Sequence, residues 1–158
     1  AQKWKTVPGE SWMDAAEEAM DQEYDGNYDI WGGDSDPKAI AIARSNAEKA
    51  GVEDLVRFEV ADATAFSRSS DYGQLVTNPP YGERLEEKEA LPALYREIGE
   101  AYNRLDDWSM YLITGYEDAE RYLGRKAAKN RKIYNGMLKT YFYQFPGPKP
   151  PRRPRQDV

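Results

Sequence analysis

The chain has 158 residues, enough for one domain with a sizeable core, and it contains no cysteine and no histidine. That composition excludes disulfides, thiolate or imidazole metal sites, cysteine nucleophiles and histidine-based triads, so no metal is expected. The net charge of −6 is uneven: residues 1–120 carry 11 basic and 27 acidic side chains, whereas residues 121–158 carry 11 basic and one acidic, Asp157. A basic C-terminal segment on an acidic body suits contact with a nucleic acid, and equally suits a solvated tail.

No apolar run approaches a membrane span and no signal-peptide pattern opens the chain, so a soluble, cytoplasmic protein is expected. Residues 1–10 read as irregular. Ser11 and Asp14 make a capping-box pattern, and Trp12, Ala15, Ala16, Ala19 and Met20 fall at helical spacing. A helix is therefore predicted over roughly 12–23, with a turn at 24–27. Residues 28–34 read as a strand ending in Gly32, Gly33 and Asp34. Asp36-Pro37 starts a helix with Ile40, Ala43, Ala47 and Ala50 on one face, and Gly51 ends it.

Residues 55–60 form a second predicted strand, closing on Ala61-Asp62-Ala63, with a short helix near 64–66. After a turn at 71–73, Gln74–Thr77 is a third strand. Leu91, Leu94, Ile98, Tyr102 and Leu105 share a helical face, and Pro92 suggests a start near residue 90. A strand follows at 109–114, a short helix at 116–123, and a hairpin around Asn135-Gly136 with arms at 132–134 and 137–145. The remainder, rich in proline and arginine, reads as an extended tail. Trp4, Trp12, Trp31 and Trp108 read as packing groups.

This alternation predicts an open, mostly parallel, Rossmann-like α/β sheet with a C-terminal antiparallel β-hairpin. Ligands in such sheets lie at the carboxyl ends of the strands, where Asp34, Asp62 and Asn78 stand. The loop Asn78-Pro79-Pro80-Tyr81 is stiff, because each proline fixes its own φ and restricts its predecessor. It can hold carbonyl oxygens toward a ligand, with Tyr81 as an aromatic face beside them. A planar substrate bearing an amino group, such as a nucleobase, suits that loop.

Three motifs in this order, Asp34-Ser35-Asp36-Pro37, Ala61-Asp62-Ala63 and Asn78-Pro79-Pro80-Tyr81, resemble those of class I S-adenosylmethionine-dependent methyltransferases that act on amino groups. With Gly82-Glu83-Arg84-Leu85, Lys132-Ile133-Tyr134-Asn135-Gly136 and Tyr143-Gln144-Phe145, the chain resembles the bacterial 23S rRNA guanine-N2 methyltransferase family over about residues 25–147. That resemblance implies S-adenosylmethionine as cofactor and 23S rRNA as substrate. Asp34 would accept the ribose hydroxyls, Ser35 would lie beside the adenine, and Asp62 with the Ala63 N–H would bind the adenine edge, Asp62 otherwise being a helix cap. Asn78, also among the cofactor-binding residues, and Pro79 would accept the two hydrogens of the target amine, with Pro80 completing the loop and Tyr81 stacking on the base. Glu83 and Arg84 would contact the base or a phosphate, or pair with each other.

The family's first motif, Asp-x-Phe-x-Gly-x-Gly, has no counterpart before Tyr28, and no THUMP domain is present. The resemblance therefore implies the C-terminal part of a longer protein, with an upstream THUMP-containing part as partner. On that reading residues 1–27 are an N-terminal helical segment, 28–147 a partial catalytic domain and 148–158 a basic tail. Such a chain should bind the cofactor poorly alone and self-associate through exposed strand edges. Competing readings are a DNA adenine-N6 or protein glutamine methyltransferase, and a catalytically incompetent RNA-binding fragment.

Overall fold

Apolar segments of period two and period 3.6 alternate along the chain, and the elements follow them in a computed structural model that describes residues 4, 6–23, 26, 29–80, 82 and 85–151. Helix α1 is Gly9–Asp21, β1 Ile30–Asp34, α2 Pro37–Ala50 and β2 Val56–Val60; a 3₁₀ turn follows at Ala63–Ala65. Then come β3 Gln74–Thr77, α3 Leu85–Asn103, β4 Ser109–Thr114, α4 Ala119–Leu123, β5 Lys129–Asn135 and β6 Leu138–Phe145. Helix α2 has both predicted ends: the Asp36 carboxylate accepts the Lys38 N–H at 2.8 Å, and Gly51, at φ +67°, closes it in the left-handed region.

The strands form two sheets. In one, β1 and β2 pair in parallel with Asp34 opposite Val60; the other has the order β3-β4-β6-β5, with β3 parallel to β4 and the last three strands antiparallel. Among the described residues, each of β1 and β3 pairs on one side only. A hollow of about 550 Å³ between them is lined by Ile30 and Trp31 from one sheet and Gln74, Leu75 and Val76 from the other. Val76 is 74% exposed there, against the burial expected of a sheet interior.

Helix α3 supplies most of the core. Leu91, Tyr95, Ile98 and Tyr102 recur at spacings of three and four and are buried against Met110, Leu112, Tyr143 and Phe145. Tyr95, rather than the half-buried Leu94, completes that face. The helix begins at Leu85, not near residue 90, with Pro92 inside it. The cost is one hydrogen bond, to the Lys88 carbonyl, and the burial of the following three turns outweighs it.

The expected capping box at Ser11 does not form: α1 starts two residues earlier, after Pro8, with no side-chain cap. Its residues are all exposed or half-buried, and Trp4, expected to pack, is 63% exposed. The hairpin arm β5 starts at Lys129, three residues before its predicted bound, and α4 starts at Ala119, three later. The loop itself is Gly136-Met137, with Gly136 at φ +63° in its first position. Among the described residues, no helix is long and apolar enough to cross a membrane.

Helices α3 and α4 approach at Gly99, where an added Cβ would lie 2.5 Å from the Leu123 carbonyl oxygen. The ordinary helical gain of about 1 kcal/mol from Gly→Ala should therefore reverse. Gly99→Ala is expected to destabilise the protein by about 1–3 kcal/mol, read from denaturant midpoints. An unchanged or raised midpoint would contradict the close packing.

Candidate active site

The strand ends converge. Asp34 is the last residue of β1, and its Oδ1 accepts the Asp36 N–H at 2.8 Å. Because Asp36 in turn caps α2, the strand-to-helix turn fixes the Asp34 carboxylate at the sheet's rim. One strand over, Asp62 lies two residues past the end of β2. Its Oδ1 accepts both the backbone N–H and the hydroxyl of Thr64, each at 2.8 Å. These two bonds, the backbone one foremost, hold its carboxyl below the usual aspartate range. The cap reading of Asp62 is thus realised, and it uses one of the two carboxylate oxygens.

Across the gap, β3 ends at Thr77 and delivers the Asn78-Pro79-Pro80 loop. Asp34, Ser35, Asp62, Ala63, Asn78, Pro79 and Pro80 all line one cleft of about 650 Å³, floored by Leu94 and Ile98 of α3. That size is ordinary for a small-molecule site. Tyr81, Glu83 and Arg84 lie outside the described residues.

The loop is held from beneath by a chain of hydroxyls that the sequence reading did not single out. The Tyr95 hydroxyl donates to the Pro80 carbonyl at 3.1 Å and lies 2.5 Å from Thr114 Oγ1, which accepts the Tyr116 N–H at 3.0 Å. One donor order satisfies all three contacts: Tyr116 N–H to Thr114, Thr114 to Tyr95, Tyr95 to Pro80. Tyr95 and Thr114 are both fully buried, so this short chain runs in a low-dielectric interior. A tyrosine at core spacing in α3 and a threonine closing β4 were the available signals; their meeting depends on the β3–β4 pairing, which juxtaposes Thr77 and Leu112.

Parallel strands ending in two carboxylates and an Asn-Pro-Pro loop around one cleft define a Rossmann-like domain of the methyltransferase class. Residues 2–144 match the family model described as UPF0020, RMKL-like, methyltransferase domain. The chain belongs to that family. It is 40% identical over 146 residues to YpsC of Bacillus subtilis (strain 168), covering 92% of this chain and 38% of that protein. It is 35% identical over 152 residues to the ribosomal RNA large subunit methyltransferase K/L of Marinobacter nauticus (strain VT8), covering 91% of this chain and 21% of that protein. The crystal structure of SMU.472 complexed with SAH superposes with a TM-score of 0.83 at 40% identity, covering 95% of this chain and 40% of that one. The chain thus spans less than half the length of these relatives.

Tyr95→Phe leaves the Pro80 carbonyl and the Thr114 hydroxyl short of a buried partner, so a loss of about 1–3 kcal/mol in unfolding free energy is expected. Thr114→Val should cost a similar amount. Because both groups belong to one chain of bonds, the double variant should fall short of the sum by at least about 0.5 kcal/mol. Strict additivity in a denaturation cycle would show that the hydroxyls act independently.

Proposed function

We propose that this chain forms the amine-accepting side of an S-adenosylmethionine-dependent methyltransferase that modifies the N2 amino group of guanine in 23S rRNA. The observation that carries the reading is the convergence of Asp34, Asp62 and the Asn78–Pro80 loop on one cleft. An rRNA methyltransferase among the relatives supports the substrate class, and a similar structure holding SAH supports the cofactor. An rRNA substrate also fits a cytoplasmic location.

The donor set fits an adenosine-bearing cofactor. Among the described residues, Oδ2 of Asp34 and Oδ2 of Asp62 have no hydrogen-bond partner, and both residues line the cleft. Asp34 would take the ribose hydroxyls, Ser35 would lie beside the adenine, and Asp62 and the Ala63 N–H would take the adenine edge. S-adenosylmethionine, when bound, supplies a methyl group on a positively charged sulfur.

An exocyclic base amine is a weak nucleophile because its lone pair is delocalised into the ring. Two acceptors, the Asn78 side-chain oxygen and the Pro79 carbonyl, would bind its hydrogens, favour a pyramidal nitrogen and aim its lone pair at the methyl group. The Pro80 carbonyl, engaged by Tyr95, fixes the loop instead. Tyr81 would stack on the base and set its plane. Alignment and acceptor placement, rather than a strong base, would then carry the rate.

We further read residues 28–147 as a catalytic domain completed by an upstream part of the same protein, including a THUMP domain, with 1–27 as a preceding helical segment and 148–158 as a tail. Support comes from the single-sided pairing of β1 and β3: one more parallel strand between them would join the two sheets. Left unfilled, the same edges favour self-association.

With the complete protein, tritiated methyl transfer to undermodified 23S rRNA should exceed transfer to DNA or to a glutamine peptide. Transfer to DNA or peptide alone would replace the rRNA reading with one of those, and rRNA binding without any transfer would favour the RNA-binding fragment. Asn78→Ala should lower kcat by about a hundredfold or more, while Asp34→Ala should chiefly raise KM for the cofactor. In calorimetry this chain alone should bind S-adenosylmethionine far more weakly than the complete protein; equal affinity would remove the case for a completing strand.

A further inference from the structure

The chemistry above makes no use of the β5–β6 hairpin. Its direction is set by register: Thr114, at the carboxyl end of β4, pairs with Tyr141, and β6 continues past that level to Leu138. Leu112, which pairs with Thr77 at the end of β3, lies opposite Tyr143, five residues from Leu138. At about 3.4 Å per residue the hairpin tip stands about 15 Å beyond the level where the Asn78 loop begins, on the same side of the sheet. Laterally it is two to three strand spacings away, about 10–15 Å.

That tip is apolar and bare. Met137 is fully exposed and Tyr134 is 64% exposed. The arm leading to it, Lys129-Asn130-Arg131-Lys132, contains no acid. Glu117, which faces the hairpin, is taken by Lys139 and Tyr141. Among the described residues, Lys129, Arg131 and Lys132 make no ion pair, though Lys132 is near enough to Glu117 for its charge to help lower the pKa of that carboxyl. Tyr134 pairs with Lys139 and Lys132 with Tyr141, so Tyr134 and Lys132 lie on the face that Tyr141 and Tyr143 turn toward α3 and α4. The Asn78 loop leads into that same helix layer. Charged edge strands also deter sheet-to-sheet pairing. That need accounts for the cations on β5 but not for an exposed tyrosine near its end and an exposed methionine in the turn that follows.

We propose that the hairpin tip is a docking post for unpaired RNA nucleotides flanking the target base, with Tyr134 stacking on a base, Met137 packing beside it and Lys132 on a phosphate. This rests on the RNA reading above. Lys129 and Arg131 extend the positive field along the edge strand. A tyrosine with one free face stacks on any base, and a lysine on the same face can reach the phosphate that follows it.

The test is fluorescence anisotropy and methyl transfer with the complete protein and an unmodified 23S rRNA fragment. Tyr134→Ala should weaken RNA binding about tenfold, and Tyr134→Phe, which keeps the ring, should bind like the original. Lys132→Ala should reduce the slope of log affinity against log salt by about 0.7. Affinity for S-adenosylmethionine should not change in any of them. If the unaltered protein binds and methylates RNA and all three variants bind it within twofold of that affinity, the hairpin inference is overturned and the functional reading stands. If Tyr134→Phe loses as much as Tyr134→Ala, stacking is overturned. If the unaltered protein neither binds nor methylates RNA, the functional reading falls and takes the docking post with it.

Discussion

Helix α3 is the element on which both the core and the site are set. Leu91, Tyr95, Ile98 and Tyr102 remove one face from water against the four-stranded sheet, each burial being worth about 1.5–3 kcal/mol. The same turns serve the cleft: Ile98 floors it, and Tyr95 reaches through the core to the carbonyl of Pro80. The Tyr102 hydroxyl meets the carbonyls of Trp108 and Phe145 at 2.9 and 3.2 Å, pinning the opposite end of the sheet. A shift of α3 along its axis would therefore disturb the apolar packing and the Asn78–Pro80 loop together. Close approach at Gly99 restricts that shift.

The two sheets meet through side chains rather than through strand pairing. Trp108 donates its indole N–H to the Ser70 carbonyl at 2.7 Å and meets Phe66 edge-on at 5.6 Å, and the Tyr72 N–H is taken by Asp107. Arg68 lies over Trp31 at 4.3 Å and over Phe66 at 5.1 Å, with Glu59 2.9 Å from its guanidinium. These contacts attach the segment after β2 to the four-stranded sheet but leave the backbone edges of β1 and β3 apart. The hollow between those edges and the cleft at the strand ends share one lining residue, Val76. A group filling the hollow would therefore also cover Val76 at the edge of the cleft.

Local chemistry was legible wherever a single residue decides it. Asp36-Pro37 and Gly51 bound α2 because cap geometry is a property of a few adjacent residues. Asp34, Asp62 and Asn78 were visible because each stands at or just past the end of a short strand, and parallel strands bring their carboxyl ends to one edge. Pro92 misled because its local cost is small beside the burial of a helix face, which only tertiary packing reveals. The hydroxyl chain was illegible for a similar reason: Thr114 and Tyr95 are nineteen residues apart, and their contact is set by how α3 lies across β4. The hairpin was recognised, but its rise above the Asn78–Pro80 loop follows from strand register, which alternation alone does not give.

The composition of the Asn78-Pro79-Pro80 loop bears on why an amine would be its partner. Two consecutive prolines contribute carbonyls and no N–H, so the backbone there is an acceptor without competing donors. A loop of other residues would present N–H groups to the cleft, and these would favour a carbonyl or an anion over an amine. The proposed substrate brings two N–H hydrogens, which matches the donor-free backbone of the two prolines. One of the loop's carbonyls, that of Pro80, is already satisfied by Tyr95, so the tie that stiffens the loop also removes a third acceptor from the contest. The proposed reading then draws on the Asn78 side-chain oxygen and the Pro79 carbonyl, the smallest acceptor set that can hold both hydrogens of an amino group while leaving its lone pair free.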